Sequence, residues 1–169
     1  MANKVLVAYG SKYGSTAEIA EKIGHVIADE GFQVDVLSAD KVKNVTDYQG
    51  VVIGSAAYIG NWRKEVKNFI TKNEPALSER PVWVFSSGPA GKGDPVEQMK
   101  GWIVPKGIKP VIDRIKPKDI TVFHGDIRVE KMGWIEKWIM KRVKSEYGDF
   151  RDWDMITKWA KGIAAALKG

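Results

Sequence analysis

Five short apolar runs constrain this chain of 169 residues more than any other feature. Val5-Leu6-Val7-Ala8, Val51-Val52-Ile53 and Val82-Trp83-Val84-Phe85 are apolar without interruption. Val34, Val36 and Leu37, and then Ile120-Thr121-Val122-Phe123, come close to that pattern. A strand covered on one face alternates apolar and polar side chains, whereas a strand covered on both does not. These runs therefore predict a parallel sheet with helices on either side. The stretches between them have helical period. Ile19, Ala20, Ile23, Val26 and Ile27 share one face of a helix expected over 15–29 and stopped by Gly31, and Val66, Phe69 and Ile70 do the same over 62–72. A last helix, over about 152–167, puts Trp153, Ile156, Trp159, Ala160, Ile163, Ala164 and Leu167 on one side. Strands alternating with helices predict a doubly wound α/β fold, five parallel strands in the order 2-1-3-4-5. No internal repeat or low-complexity segment divides the chain, so one domain is expected over 1–169.

In such a sheet ligands bind beyond the carboxyl ends of the strands. Here those ends fall at 10–16, 55–62 and 86–94, all rich in glycine and hydroxyl side chains. The first, AYGSKYGSTA at 8–17, runs from strand to helix with Ser11, Lys12, Tyr13, Gly14, Ser15 and Thr16 in the turn. Unpaired N–H groups and the positive end of the helix dipole make such a turn an anion site. The plainer reading is that Ser15 or Thr16 caps the helix. The spacing matches neither a Walker loop, which needs Gly-Lys-Ser/Thr after four intervening residues, nor the dinucleotide pattern G-x-G-x-x-G.

Composition removes whole classes of chemistry. The absence of cysteine excludes disulfides, thiolate metal sites and thiol redox chemistry, and two histidines, His25 and His124, are too few for most metal sites, so no metal is expected. No run approaches the roughly 18 apolar residues of a membrane-spanning helix, and the N-terminus passes straight into a strand pattern, so a cytoplasmic protein is expected. The net charge of +6 favours an anionic partner. The charge is diffuse and lacks a nucleic-acid motif, so nucleic acid is not expected as the partner. Five of the seven tryptophans lie beyond residue 100.

Ser11-x-x-Gly14-x-Thr16 after the first strand resembles the FMN phosphate loop of flavodoxins, with Tyr13 where the family has Ser or Thr. The resemblance continues through Gly54-Ser55-Ala56-Ala57-Tyr58-Ile59-Gly60-Asn61-Trp62, similar to the loop that wraps the isoalloxazine ring, and at Ser86-Ser87-Gly88-Pro89, in the place of the third flavin loop. It implies a flavodoxin-like fold holding FMN through the first loop's neutral donors and the backbone groups of the other two. Tyr58 and Trp62 are the stacking candidates, although Trp62 equally suits the start of the helix core. The third loop carries no aromatic residue, which leaves one ring face open to a substrate.

Two features depart from a simple electron carrier. Flavodoxins that shuttle electrons are typically acidic, and this chain is basic. Between the fifth strand and the last helix lies an insert, at about 127–151. Within it, residues 134–144 have helical period, with Trp134, Ile135, Trp138, Ile139 and Val143 on one half of the wheel and Lys137, Lys141 and Lys144 opposite. A basic helix edged with tryptophan suits a membrane interface; it equally suits a helix packed on the domain with a solvated lysine face. With Trp134-x-x-x-Trp138-Ile139-Met140-Lys141 and Asp152-Trp153 before the last helix, the chain resembles the menaquinone-dependent protoporphyrinogen dehydrogenases of haem biosynthesis. That resemblance implies an enzyme oxidising a flat apolar macrocycle with a quinone acceptor, peripheral on the inner face of the membrane. Arg128, Lys131, Lys141 and Arg142 become candidates to meet propionates or lipid headgroups. The chemistry is borne by the flavin, so no catalytic side chain is assigned. His124 and Asp126 are placed for a proton relay, although a structural role suits His124 better. The alternative function is a flavodoxin-type carrier docking on a redox protein through the same tail.

Overall fold

Residues 3–58, 60–89, 91, 93–99, 103–142 and 148–169 are described in a computed structural model. Strand β1 (Lys4–Gly10) leads into helix α1 (Ser15–Asp29), and β2 (Gln33–Ser38) follows. Next, β3 (Gly50–Tyr58) folds back through the two-residue β4 (Asn61–Trp62) into α2 (Lys64–Lys72) and α3 (Glu74–Ser78). After β5 (Val82–Ser87) come the short α4 (Pro95–Gln98), α5 (Lys109–Ile115) and β6 (Asp119–Phe123). The chain ends with β7 (Asp126–Ile127), α6 (Trp134–Arg142), β8 (Gly148–Asp149) and α7 (Trp153–Lys168).

The long strands are parallel and ordered β2-β1-β3-β5-β6, which is the expected 2-1-3-4-5 order, with β4 added antiparallel to β3. Val7 sits between Val36 and Val52, and Ile53 pairs with Val84. Successive side chains point to opposite faces. Leu6, Val51, Ile53 and Val84 pack with Val66, Phe69, Ile70 and Ile112 on one side. Val5, Val7, Val52 and Phe85 pack with Ile19, Ile23, Ile156 and Ile163 on the other. Both faces being buried is why the runs are apolar throughout, each large side chain contributing about 2 kcal/mol. Gly54 is required here: a Cβ on it would lie 2.0 Å from Cζ of Phe85, whose ring crosses the strand to meet Phe123 and Trp159.

One boundary is corrected. The second helix starts at Lys64, because Trp62 lies in β4 opposite Ala57. Between β5 and β6 the chain carries the short helices α4 and α5; Pro95 and Pro110 occupy first turns, where a missing N–H costs nothing. Trp153, on the same side of α7 as the buried Ile156 and Ile163, is 37% exposed beneath the Arg151 guanidinium at 4.7 Å. The insert is closed at its base by the antiparallel β7–β8 ribbon. None of the described residues of α6 is buried, and Trp134 and Trp138 are 79% and 58% exposed, so the insert helix does not pack its tryptophan face on the sheet. Val143 and Lys144 of the expected helix lie outside the described residues.

Candidate loops at the carboxyl edge of the sheet

The turn after β1 is built around Gly14, whose φ of 95° places it in the left-handed region that glycine adopts without strain. Gly14 is the N-cap of α1, so neither Ser15 nor Thr16 caps the helix. The Ser11 hydroxyl instead accepts the Gly14 N–H at 2.9 Å and closes the turn. The first turn of α1 has no side-chain cap, which leaves its N–H donors for another acceptor. Ser15 turns away: its hydroxyl accepts the Asp126 N–H at 3.1 Å. Thr16 is 2% exposed, and its hydroxyl has no hydrogen-bond partner among the described residues.

The second and third loops adjoin this turn. Ser55 is buried, its hydroxyl accepting the Arg63 N–H at 3.0 Å and tying β3 to the start of α2. Ala56, Ala57 and Tyr58 are half-buried, Gly60 is exposed at the tip with φ 69°, and Ile59 lies outside the described residues. Trp62 is a core residue, its indole N–H donating to Ser86. Ser86 and Ser87 belong to β5 and are buried, so the loop proper starts at Gly88 and Pro89. A Cβ on Gly88 would lie 2.9 Å from the Ala57 carbonyl oxygen, so the two loops touch through backbone. Buried His124 holds the third loop, with Nδ1 3.0 Å from the Pro89 oxygen and Nε2 2.8 Å from that of Gly93.

The insert, unexpectedly, is fastened to the first loop and the first turn of α1. Lys12 pairs with Glu136 of α6, and Lys131 donates to the Tyr13 carbonyl at 3.2 Å. Arg128 pairs with Glu18 of α1 and with Asp126. Arg151, its side chain only 6% exposed, reaches Glu18, Asp149 and Asp126. The Arg151 hydrogen bond is the main reason that the Glu18 and Asp149 carboxyls titrate below their ordinary range. Hydrogen bonding to Asp126 likewise raises the Arg128 guanidinium. Arg128 is thus engaged inside the protein and not free for an external anion. Lys141 and Arg142 are exposed, and Arg142 lies 5.0 Å over the Trp138 ring. Glu18, Glu136 and Arg151 carry no local motif, and only contacts distant in sequence reveal them.

The arrangement combines a ring of anion-seeking N–H groups, two backbone loops beside it and an aromatic helix at its rim. A protein-family model described as a flavodoxin domain matches residues 6–154. The protoporphyrinogen IX dehydrogenase (quinone) of Escherichia coli strain K12 is 21% identical over 173 residues, covering 95% of this chain and 94% of that protein. Among solved structures, a flavodoxin from the domain Archaea superposes with a TM-score of 0.66 at 15% identity, over 98% of this chain and 99% of that one. Rubredoxin oxygen:oxidoreductase from the anaerobe Desulfovibrio gigas does so with a TM-score of 0.67 at 16% identity, over 99% of this chain and 36% of that one.

Proposed function

The chain belongs to the flavodoxin domain family, and from that premise we propose that it is an FMN-dependent oxidoreductase acting on a planar apolar substrate. The specific form of the reading is oxidation of protoporphyrinogen IX with a quinone acceptor. The residues fit the cofactor. The uncapped first turn of α1 and the unpartnered Thr16 hydroxyl offer neutral donors to a phosphate. Glu18, the carboxylate in that turn, is neutralised by Arg128 and Arg151. Ser11, Lys12, Tyr13, Gly14 and Thr16 border the phosphate end. Ala56, Ala57, Tyr58, Gly60, Gly88 and Pro89 would border the ring end. Ser15, Ser55, Trp62, Ser86 and Ser87 act one layer below, holding the loops. FMN, when bound, supplies one- and two-electron redox chemistry, and the protein supplies position and electrostatics.

The observation that carries the choice of substrate is α6. Its Trp134, Ile135 and Trp138 face solvent, while Glu136 on the same helix is held to Lys12 of the first loop. A greasy surface fixed at the rim of a redox site suits a flat macrocycle, a quinone tail and a membrane interface, with Lys131 and Lys141 available to carboxylates or headgroups. Among the described residues no helix is long and apolar enough to cross a membrane, so the proposed association is peripheral. The name of the Escherichia coli relative supports the same chemistry.

A second reading, an electron carrier docking on a redox protein, is favoured by Arg142. Its guanidinium over Trp138 puts a cation inside the apolar face, which suits an acidic protein surface better than acyl chains. Anaerobic mixing of FMN-loaded protein with protoporphyrinogen and a soluble quinone separates the two. Porphyrin fluorescence rising well above the spontaneous rate is the expected result. No acceleration with FMN bound and reducible would leave the carrier reading.

A further inference from the structure

Buried polar atoms in folded proteins are nearly all paired, so each exception asks for a partner that is not part of the chain. Among the described residues four side-chain atoms that are themselves sealed from solvent have none: Tyr13 Oη, Tyr58 Oη, Glu136 Oε2 and Arg80 Nε. Arg80 stands apart, its guanidinium donating to the Val45 carbonyl. The residues that carry the other three meet at one ammonium. Lys12 Nζ pairs with Glu136 Oε1 and lies 4.0 Å from the centre of the Tyr58 ring and 5.3 Å from that of Tyr13. They come from three segments distant in sequence: the first loop, the end of β3 and the insert helix.

We propose that Lys12, Tyr13, Tyr58 and Glu136 form a binding site for a hydroxyl-bearing part of the molecule held at this edge of the sheet. The donor set defines that chemistry. A carboxylate paired with lysine only accepts, so its free oxygen needs an O–H or N–H from the ligand, and a phenol both donates and accepts. A hydroxyl satisfies both at once. A phosphate does not, since it brings no donor and would face the carboxylate; it belongs at the uncapped turn of α1. The inserted helix is therefore a wall of the ligand site, beyond its solvent-facing tryptophans.

This rests on the FMN reading above, and two ligands carry the chemistry: the ribityl chain of FMN and the hydroxyl of a reduced quinone. Tyr58→Phe and Glu136→Gln test it without relying on turnover. Flavin fluorescence gives the Kd of the flavin-free protein for FMN and for lumiflavin, which lacks the ribityl chain. Flavin absorbance gives the Kd of the FMN-loaded protein for 1-naphthol, a redox-inert stand-in for the quinol. About tenfold weaker binding is expected wherever the hydroxyl is read. Loss for FMN but not for lumiflavin assigns the site to the ribityl chain; loss for 1-naphthol with FMN unchanged assigns it to the quinol. Because Tyr58 Oη has no partner in the protein, Tyr58→Phe should leave the Tm of the ligand-free form unchanged or raised, which a purely structural hydroxyl would not do. Unchanged affinities for all three probes in both variants overturn the proposal alone. Failure of the unaltered protein to bind flavin overturns the parent reading, and this one with it.

Discussion

The indole N–H of Trp62 donates to the Ser86 hydroxyl at 2.8 Å, and that hydroxyl donates onward to the Ile103 carbonyl at 2.9 Å. One buried relay thus joins the hairpin after β3, the end of β5 and the segment before α5. Neither side chain needs to touch a ligand for both to set where the second and third loops stand. Trp62→Phe keeps an aromatic ring while removing the donor and part of the buried volume. We expect a loss of about 1–2 kcal/mol in urea unfolding. FMN affinity should weaken several-fold, measured by fluorescence titration; unchanged affinity would show that the loops hold their places without the relay.

Gly14 separates conformational strain from lost contact. A Cβ there meets nothing within 4 Å, yet its φ of 95° disfavours any side chain. Gly14→Ala should destabilise the ligand-free protein by about 1 kcal/mol. It should weaken FMN more than it weakens lumiflavin, because the altered turn is where the phosphate is proposed to sit. Equal loss for the two flavins would argue against a phosphate at this turn.

Arg151 locks the insert to α1, and its effect depends on pH with a defined sign. Glu18 and Asp149 have folded-state pKa values held below the ordinary range, chiefly by hydrogen bonds from Arg151. Carboxylates of that kind contribute stability that is complete above the unfolded pKa near 4 and lost as pH falls through the depressed folded value. Arg151→Met should cost about 2 kcal/mol at pH 7, less than for a fully buried pair because Glu18 and Asp149 are 43% and 47% exposed. Thermal melts should show that difference shrinking below about pH 4. A gap constant from pH 7 to 3 would count against the ion pairs.

The tryptophan face of α6 is separable from folding. Trp134 and Trp138 are mostly exposed, so replacing both with serine should shift stability by no more than about 0.5 kcal/mol and leave FMN bound. Sedimentation with vesicles containing anionic lipid, and porphyrin formation, should each fall by about tenfold or more. Retention of both would remove α6 from the proposed substrate and membrane surface.

Much of the fold is legible because burial on both faces of a parallel strand demands an unbroken apolar run, and a helix over a sheet demands a 3.6-residue stripe. Helix α1 runs from Ser15 to Asp29 as its periodicity requires. The loops are legible for a related reason, since Gly14 and the neighbouring hydroxyls mark where backbone must turn sharply. Helix α5 is not, because Pro110 reads as a breaker along the chain and is harmless in a first turn. Trp62 is not either: its strand pairs only with its own neighbour, and only burial against Ser86 decides where the indole points.

By itself, then, the sequence determines a doubly wound sheet and three loops at one edge, because local periodicity and turn chemistry are written in consecutive residues. Only the tertiary structure decides what the insert does. Lys12 meets Glu136 across 124 positions, and Glu18 meets Arg128 and Arg151 across 110 and 133. Charges that far apart have no pattern along the chain. They become partners because the chain after β6 reaches the first turn of α1 at Asp126, and the β7–β8 ribbon holds the insert there, where leaving any one of them unpaired would cost more than pairing it.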